Sequence, residues 1–360
     1  MKRRMDLKEL FLVLLALLLI LSLNLVEDKK ILIKDHNFDL KYEAARRTAL
    51  CFEELKRERV RRGIKIDLSH DVHGTGLIGE EFNGITTTLG SLESKRTSTN
   101  PNFSAVVVDM LMELGLRAGD NVAINFSSSF PAINISTIVA CELLDLQPVI
   151  ITSIGSSSWG GNNLDFTYLD MEEHLYRKGL IKHKSIAVSP GGAKDVGNDM
   201  DEVALEEILE RMRTYGKEII IEEDLASNIA YRLQLYEKAG HDIACFISVG
   251  GNLVSFGGVY DKLNTKMGII REQVYRVDDE SGLVYRFLAK GIPVINLLNI
   301  KDLSIRYGLE VDADTPYRIG EGGVYYSYLY PNKLILTILV LAITLLLFYR
   351  KRILKENDEE

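Results

Sequence analysis

The chain has 360 residues, a formal net charge of −8 and three cysteines. An acidic balance of this size argues against a broad face for nucleic acid or any polyanion. Cys51, Cys141 and Cys245 are odd in number and sit in apolar settings, which fits buried small hydrophobes and argues against a disulfide framework or a metal set.

Near the N-terminus, residues 10–26 form an uncharged, apolar run interrupted only by Ser22 and Asn24. Residues 334–349 form another, interrupted only by Thr337 and Thr344. A helix rises about 1.5 Å per residue and a hydrocarbon core is about 30 Å thick, so each run is near the short end of the spanning range. Basic residues flank both runs on their outer sides: Lys2, Arg3, Arg4 and Lys8 before the first, Arg350, Lys351, Arg352 and Lys355 after the second. The positive-inside rule then predicts a two-pass protein of the cell membrane, with residues 1–9 and 350–360 cytoplasmic and 27–333 extracytoplasmic. Residues 21–26 offer no small-x-small cleavage site, so the first run reads as a retained anchor, not a signal peptide. Tyr325, Tyr326, Tyr328 and Tyr330 precede the second run as an interfacial aromatic belt would. The region between the anchors carries about −10. It has room for one large or two ordinary domains.

Within that region, Leu40, Ala44, Ala45, Thr48, Phe52 and Leu55 make a helical stripe over 39–62 that Gly63 stops. Residues 67–99, rich in Gly, Ser and Thr, read as irregular, so 27–99 is a helix plus a loop region. Asn100 is placed to cap a helix with Pro101 at its first position, running to Gly115. From there, over 100–310, strand and helix alternate. Strands are predicted at 121–126, 148–152, 185–189, 218–221, 243–249 and 293–297. Helices are predicted at 131–144, 171–177, 200–215, 225–238, 281–290 and 301–307. The strands are continuous apolar runs, which predicts an α/β fold with a mostly parallel sheet and helices on both faces.

Ligands of such a sheet bind at the carboxyl ends of its strands. Those ends here carry Ser127-Ser128-Ser129, the run from Ser153 through Ser156, Ser157, Trp159, Asn162 and Asn163, then Gly191-Gly192 with Asp195, Glu222 to Asp224, Gly250-Gly-Asn252, and Asn296. Small, hydroxyl, amide and carboxylate groups gathered on one edge predict a polar cleft. Ser129 reads as a helix cap or part of an anion cradle, or less readily as a nucleophile, since no G-x-S-x-G elbow surrounds it. Lys95 and Arg96, among hydroxyls and glycines, form a second candidate for pinning a carboxylate or phosphate. Gly74 to Gly79 matches G-x-G-x-x-G but opens no helix, which argues against dinucleotide binding. His70 and His73 lack an identifiable third metal ligand.

Several stretches together resemble the poly-gamma-glutamate system protein family, the two-anchor membrane component of bacterial poly-γ-glutamate biosynthesis loci. They are Thr75-Gly-Leu-Ile-Gly79, Ile85-Thr-Thr-Thr-Leu-Gly-Ser-Leu92, Lys95-Arg-Thr-Ser-Thr-Asn-Pro101, Ser129-Phe-Pro-Ala-Ile-Asn-Ile135 and Ser156-Ser-Ser-Trp-Gly-Gly-Asn-Asn163, with Leu169-Asp-Met171 and Gly291-Ile-Pro-Val294. One departure is Ser127-Ser128, where the family pattern has a glycine before Ser-Phe-Pro. The resemblance implies a membrane machine that makes and exports a surface polymer, in company with an amide ligase and a small membrane subunit. It assigns no catalytic residue.

The expected function is therefore an extracytoplasmic accessory domain that binds the polymer or braces the synthase. Its ligand-binding candidates are Lys95, Arg96, Ser127, Ser128, Ser129, Ser156, Ser157, Trp159, Asn162, Asn163, Gly191 and Gly192. The second expectation is an amidohydrolase or transferase acting on the polymer, with Ser128 or Ser129 as nucleophile and Asp195, Glu222 or Asp224 as carboxylate partner. A third is a sensor binding a small metabolite in the same cleft. No cofactor, metal or nucleic-acid partner is expected.

Overall fold

The computed structural model describes residues 7–258, 263 and 265–358. The chain opens with α1 (Leu7–Asp28), β1 (Ile31–Lys34), α2 (Phe38–Arg61), β2 (Thr86–Thr88), α3 (Leu92–Ser98) and α4 (Phe103–Glu113). There follow β3 (Asn121–Ser127), α5 (Pro131–Leu143), β4 (Gln147–Ser153), β5 (Ser156–Ser157), α6 (Tyr168–Arg177) and β6 (Ala187–Ser189). Next come α7 (Glu202–Thr214), β7 (Glu218–Ile219), α8 (Leu225–Ala239), β8 (Ile243–Val249) and α9 (Leu253–Phe256). The chain ends with β9 (Gly268–Ile270), α10 (Leu283–Ala289), β10 (Val294–Leu297), α11 (Ile300–Arg306), β11 (Tyr326–Leu329) and α12 (Asn332–Asp358). These elements form two compact units, one of residues 37–325 and one built from the two ends of the chain.

The larger unit is α/β. Its central sheet has the order β7-β6-β4-β3-β8-β10-β9, and every pairing is parallel except β9 with β10. Val122 to Phe126 of β3 are all buried. Successive strand side chains point to opposite faces, so both faces of the sheet are covered, which is why the strands read as unbroken apolar runs. One of these layers packs Tyr236 of α8 and Phe287 of α10 onto Phe246, with the Phe246 and Phe287 rings stacked 4.5 Å apart. The chain steps outward from β3 through β4 and β6 to β7, then returns to lay β8 on the other side of β3. That reversal is the switch point where such sheets open a crevice.

All six predicted strands are present: β8 has the predicted bounds, β3 and β4 run slightly longer, and β6, β7 and β10 are shorter. Ser185 stays out of the sheet because its hydroxyl and amide donate to the Glu172 carboxylate at 2.7 and 2.9 Å. The 67–99 stretch, expected to be irregular, contains β2, which pairs with β5, and α3, whose Ser91 cap accepts from Ser94 N. The helix expected from Pro101 begins two residues later, because the Asn100 carboxamide accepts from Asn102 N at 3.0 Å and holds a turn. The helix expected from Met171 begins at Tyr168, nucleated by a Thr167–Asp170 capping box. Tyr325 does not belong to an aromatic belt: it is fully buried and donates to Asn102 Oδ1 at 2.7 Å.

In the smaller unit, Phe11 of α1 stacks on Tyr349 of α12 at 4.3 Å, while Ile31 of β1 pairs with Leu329 of β11 in an antiparallel ribbon. These contacts make α1 and α12 antiparallel and bring the start of α1 and the last turns of α12 to one end of the pair. Glu9–Asp28 and Asn332–Lys351 are each long and apolar enough to cross a membrane. Their apolar side chains are largely uncovered, as at Leu21 (67%) and Phe348 (71%). The polar hydroxyls within them are satisfied internally: Ser22 donates to Leu19 O, Thr337 to Lys333 O and Thr344 to Val340 O. Lys2, Arg3 and Arg4, used above to orient the first run, lie outside the described residues.

Candidate functional site

At the carboxyl edge of the sheet, the loops after β3, β4, β6, β8 and β10 enclose a cleft of about 490 Å³, with the segment from Thr87 to Lys95 forming its remaining wall. Ser127, Ser129, Ser153, Ser157, Gly192, Asn252 and Leu298 line it, so five strand ends converge as the parallel sheet predicts. Close approach of backbones builds the walls. Gly191 and Gly192 have φ of +83° and +72°, and a Cβ on Gly191 would sit 2.9 Å from Gly155 N.

Lys95 reaches into this cleft from α3. It is 2% exposed, and its Nζ donates to Ser129 O and, at 2.8 Å, to Ser157 Oγ, while lying 3.9 Å from the centre of the Phe130 ring. Among the described residues no carboxylate stands within ion-pair distance of it. Burial therefore goes uncompensated and pushes the ammonium down to about 7. The serines form a chain beside it: Ser127 Oγ donates to Ser129 Oγ at 2.8 Å, and Ser157 N donates to the same oxygen at 3.0 Å.

Beneath the cleft floor lies a buried ion pair. Arg232 of α8 and Asp195 are both essentially inaccessible, with Nη2 and Oδ2 2.7 Å apart. Arg232 also donates to Asn125 Oδ1 at 2.7 Å and Asn228 Oδ1 at 2.8 Å, and Asp195 accepts from Ser153 Oγ at 3.1 Å and Ser189 Oγ at 2.9 Å. Asn252, at the cleft, donates to Ser153 Oγ at 3.1 Å and accepts from Asn125 Nδ2 at 2.8 Å. The cleft floor is thus tied to a fixed pair of charges. Arg232 escaped sequence reasoning, although it shares one helical face with Ile229, Leu235 and Tyr236; an arginine in that apolar stripe was the available signal.

Of the predicted site residues, the structure gathers Lys95, Ser127, Ser129, Ser157 and Gly192 around one cleft. The others go elsewhere. Arg96, about 100° further round α3, pairs through both oxygens with Asp312. Ser128 is fully buried and donates to Ser153 O at 2.8 Å, which removes it as a nucleophile. Ser129 does not cap α5; the cap position is Phe130, without a side-chain bond. Ser156 points into the protein, with its hydroxyl bonded to the Ser157 carbonyl at 2.9 Å. Trp159 and Asn163 line a second hollow of about 420 Å³, where Trp159 stacks on His70. Asn162 braces the loop before β2 by donating to Glu80 O and Thr86 Oγ1. Gly191 supports the wall without lining the cleft. Asp195 is committed to Arg232, Asp224 caps α8 by accepting from Ser227 N at 2.8 Å, and Glu222 is not among the cleft residues. His70 bonds Asp67 and His73 bonds Ala313 O, so the two histidines face different partners.

No family model, curated protein or solved structure matches this chain.

Proposed function

We propose that this chain is a membrane-anchored component of a poly-γ-glutamate synthesis and export system, and that its α/β unit holds a short stretch of the polymer in the Lys95 cleft. In this reading α1 and α12 both span the membrane, both termini are cytoplasmic, and residues 27–333 face outward beside the ligase and small membrane subunit. The observation that carries the binding role is Lys95: a cation without a carboxylate partner, held among hydroxyls in an open cleft, is completed by an anionic ligand. The uncovered apolar surface of both terminal helices supports the anchoring. The stretches of sequence resemblance supply the polymer's identity, and the acidic balance of the domain confines polymer contact to this local cleft.

The test uses the full chain in detergent with a fluorescent γ-glutamyl oligomer. The ammonium form of Lys95 is the one that attracts a carboxylate, and it is lost as pH rises through about 7. Affinity is expected to fall by about tenfold or more between pH 6 and pH 9, and Lys95→Met is expected to be weak at both. Equal binding by Lys95→Met sinks the cleft assignment. Unchanged surface polymer after deletion of the gene sinks the biosynthetic role.

A further inference from the structure

We propose that Ser157 and Lys95 form a serine–lysine catalytic pair, with Ser157 the nucleophile toward an amide or ester carbonyl and Lys95 its general base. Their side chains already stand 2.8 Å apart, the distance at which a base takes a hydroxyl proton. Ser157 is half-exposed on the cleft wall, and its backbone is fixed because its N–H donates to Ser129 Oγ at 3.0 Å. Lys95 is held from its other sides by Ser129 O and the Phe130 ring.

The surroundings favour this pair over the alternatives. A Cβ on Gly90 would lie 2.5 Å from Ser158 O, 3.1 Å from Ser157 Oγ and 3.2 Å from Lys95 Cε. Gly90 has no left-handed φ to account for it, so its missing side chain is what leaves the pair room. The other charges nearby are engaged or peripheral: Glu93 accepts from Lys301 at 2.7 Å, Arg96 pairs with Asp312, and exposed Asp199 at the cleft accepts from Ala193 N. Among the described residues no histidine lines the cleft. With its ammonium lowered to about 7, Lys95 is largely free amine just above neutrality, the form a base requires.

The chemistry balances without a cofactor. The Lys95 amine takes the Ser157 hydroxyl proton as Oγ attacks the carbonyl carbon. The tetrahedral adduct collapses with cleavage of the C–N bond, and the nitrogen departs as an amine with the proton returned by Lys95. Water, activated by the same amine, then cleaves the acyl-serine ester to a carboxylic acid; an acceptor amine in its place receives the acyl group. A γ-linked glutamyl amide as substrate rests on the polymer reading above, whereas the nucleophile and base do not.

The full chain in detergent is treated with p-nitrophenyl acetate and, separately, with a fluorophosphonate, and adducts are mapped by peptide mass spectrometry. The expected adduct is on Ser157, forming about tenfold faster per pH unit up to about pH 7 and levelling above it. Ser157→Ala and Lys95→Met are each expected to lose about 100-fold or more, with Ser157→Ala retaining the wild-type melting temperature. An adduct on Ser129 or Lys95, labelling indifferent to pH, or full labelling of Lys95→Met overturns the pair. If Lys95→Met does not fold, Ser157→Ala and the wild-type pH profile still decide. A second arm adds the γ-glutamyl oligomer, which the wild type but not Ser157→Ala is expected to shorten. Ser157 labelling with no shortening removes the polymer as substrate and leaves the pair, while oligomer binding with no Ser157 adduct removes the pair and leaves the polymer reading.

Discussion

Two buried cations organise the site, and they are stabilised in opposite ways. Arg232 is compensated by Asp195 and by a ring of amides and hydroxyls. Replacing it with Met strands the Asp195 carboxylate in the interior, so Arg232→Met is expected to cost about 3–5 kcal/mol in denaturant unfolding, with part of the loss recovered by adding Asp195→Asn. Lys95 has no such partner, and its burial depresses the ammonium from its ordinary value to about 7. Between that value and about 10.5 the unfolded chain holds a proton that the folded chain has released, so this group makes stability rise with pH across that window. Below pH 7 both states are protonated and the burial cost is felt in full. Lys95→Met is therefore expected to be more stable than wild type at pH 6, with its advantage shrinking by about 1.4 kcal/mol per pH unit above 7. A constant difference between the two proteins at pH 6, 8 and 10 contradicts this account.

The elements divide by how much local signal they carry. The six predicted strands were legible because burial on both faces forces continuous apolar runs, and α8 because its stripe repeats over fifteen residues. The short pieces were not. With seven residues, α3 is under two turns, and β2 and β5 exist only because each pairs with the other across a long loop. Lys95 was singled out from its hydroxyl-rich neighbourhood, yet its separation from Arg96 depends on α3 being helical, which turns adjacent residues to different walls. The antiparallel β9 is likewise a product of tertiary pairing with β10. Capping chemistry was readable but was passed over at α6. Thr167 and Asp170 satisfy each other's backbone N–H groups, and Asp170 additionally accepts from Tyr215 at 2.8 Å. Thr167→Ala is expected to destabilise by about 1–2 kcal/mol in chemical unfolding, whereas Ser91→Ala at the exposed cap of the short α3 should fall at the low end of the range for lost caps, about 0.5 kcal/mol.

For the whole molecule, the decisive physical quantity is the apolar surface on α1 and α12. Side chains such as Leu21, Leu23, Leu347 and Phe348 are all at least 60% exposed, an arrangement stable in hydrocarbon and prone to aggregation in water. The antiparallel pairing of Phe11 with Tyr349 and of Ile31 with Leu329 requires that both ends emerge on one side, whichever side that is. In the proposed reading the basic flanks make that side the cytoplasm. The three native cysteines give a silent background for testing this, because each is buried and burial raises its thiol, that of Cys51 to about 12. Single cysteines at exposed Glu9, Tyr275 and Arg350 report the three segments separately. In intact cells a membrane-impermeant maleimide is expected to label Tyr275→Cys and to spare Glu9→Cys and Arg350→Cys, which label only after permeabilisation. The chain should also stay in the membrane fraction through alkaline carbonate. Release by carbonate removes the spanning helices, and labelling of Glu9→Cys and Arg350→Cys without Tyr275→Cys inverts the topology and moves the cleft to the cytoplasm, where an exported polymer no longer meets it.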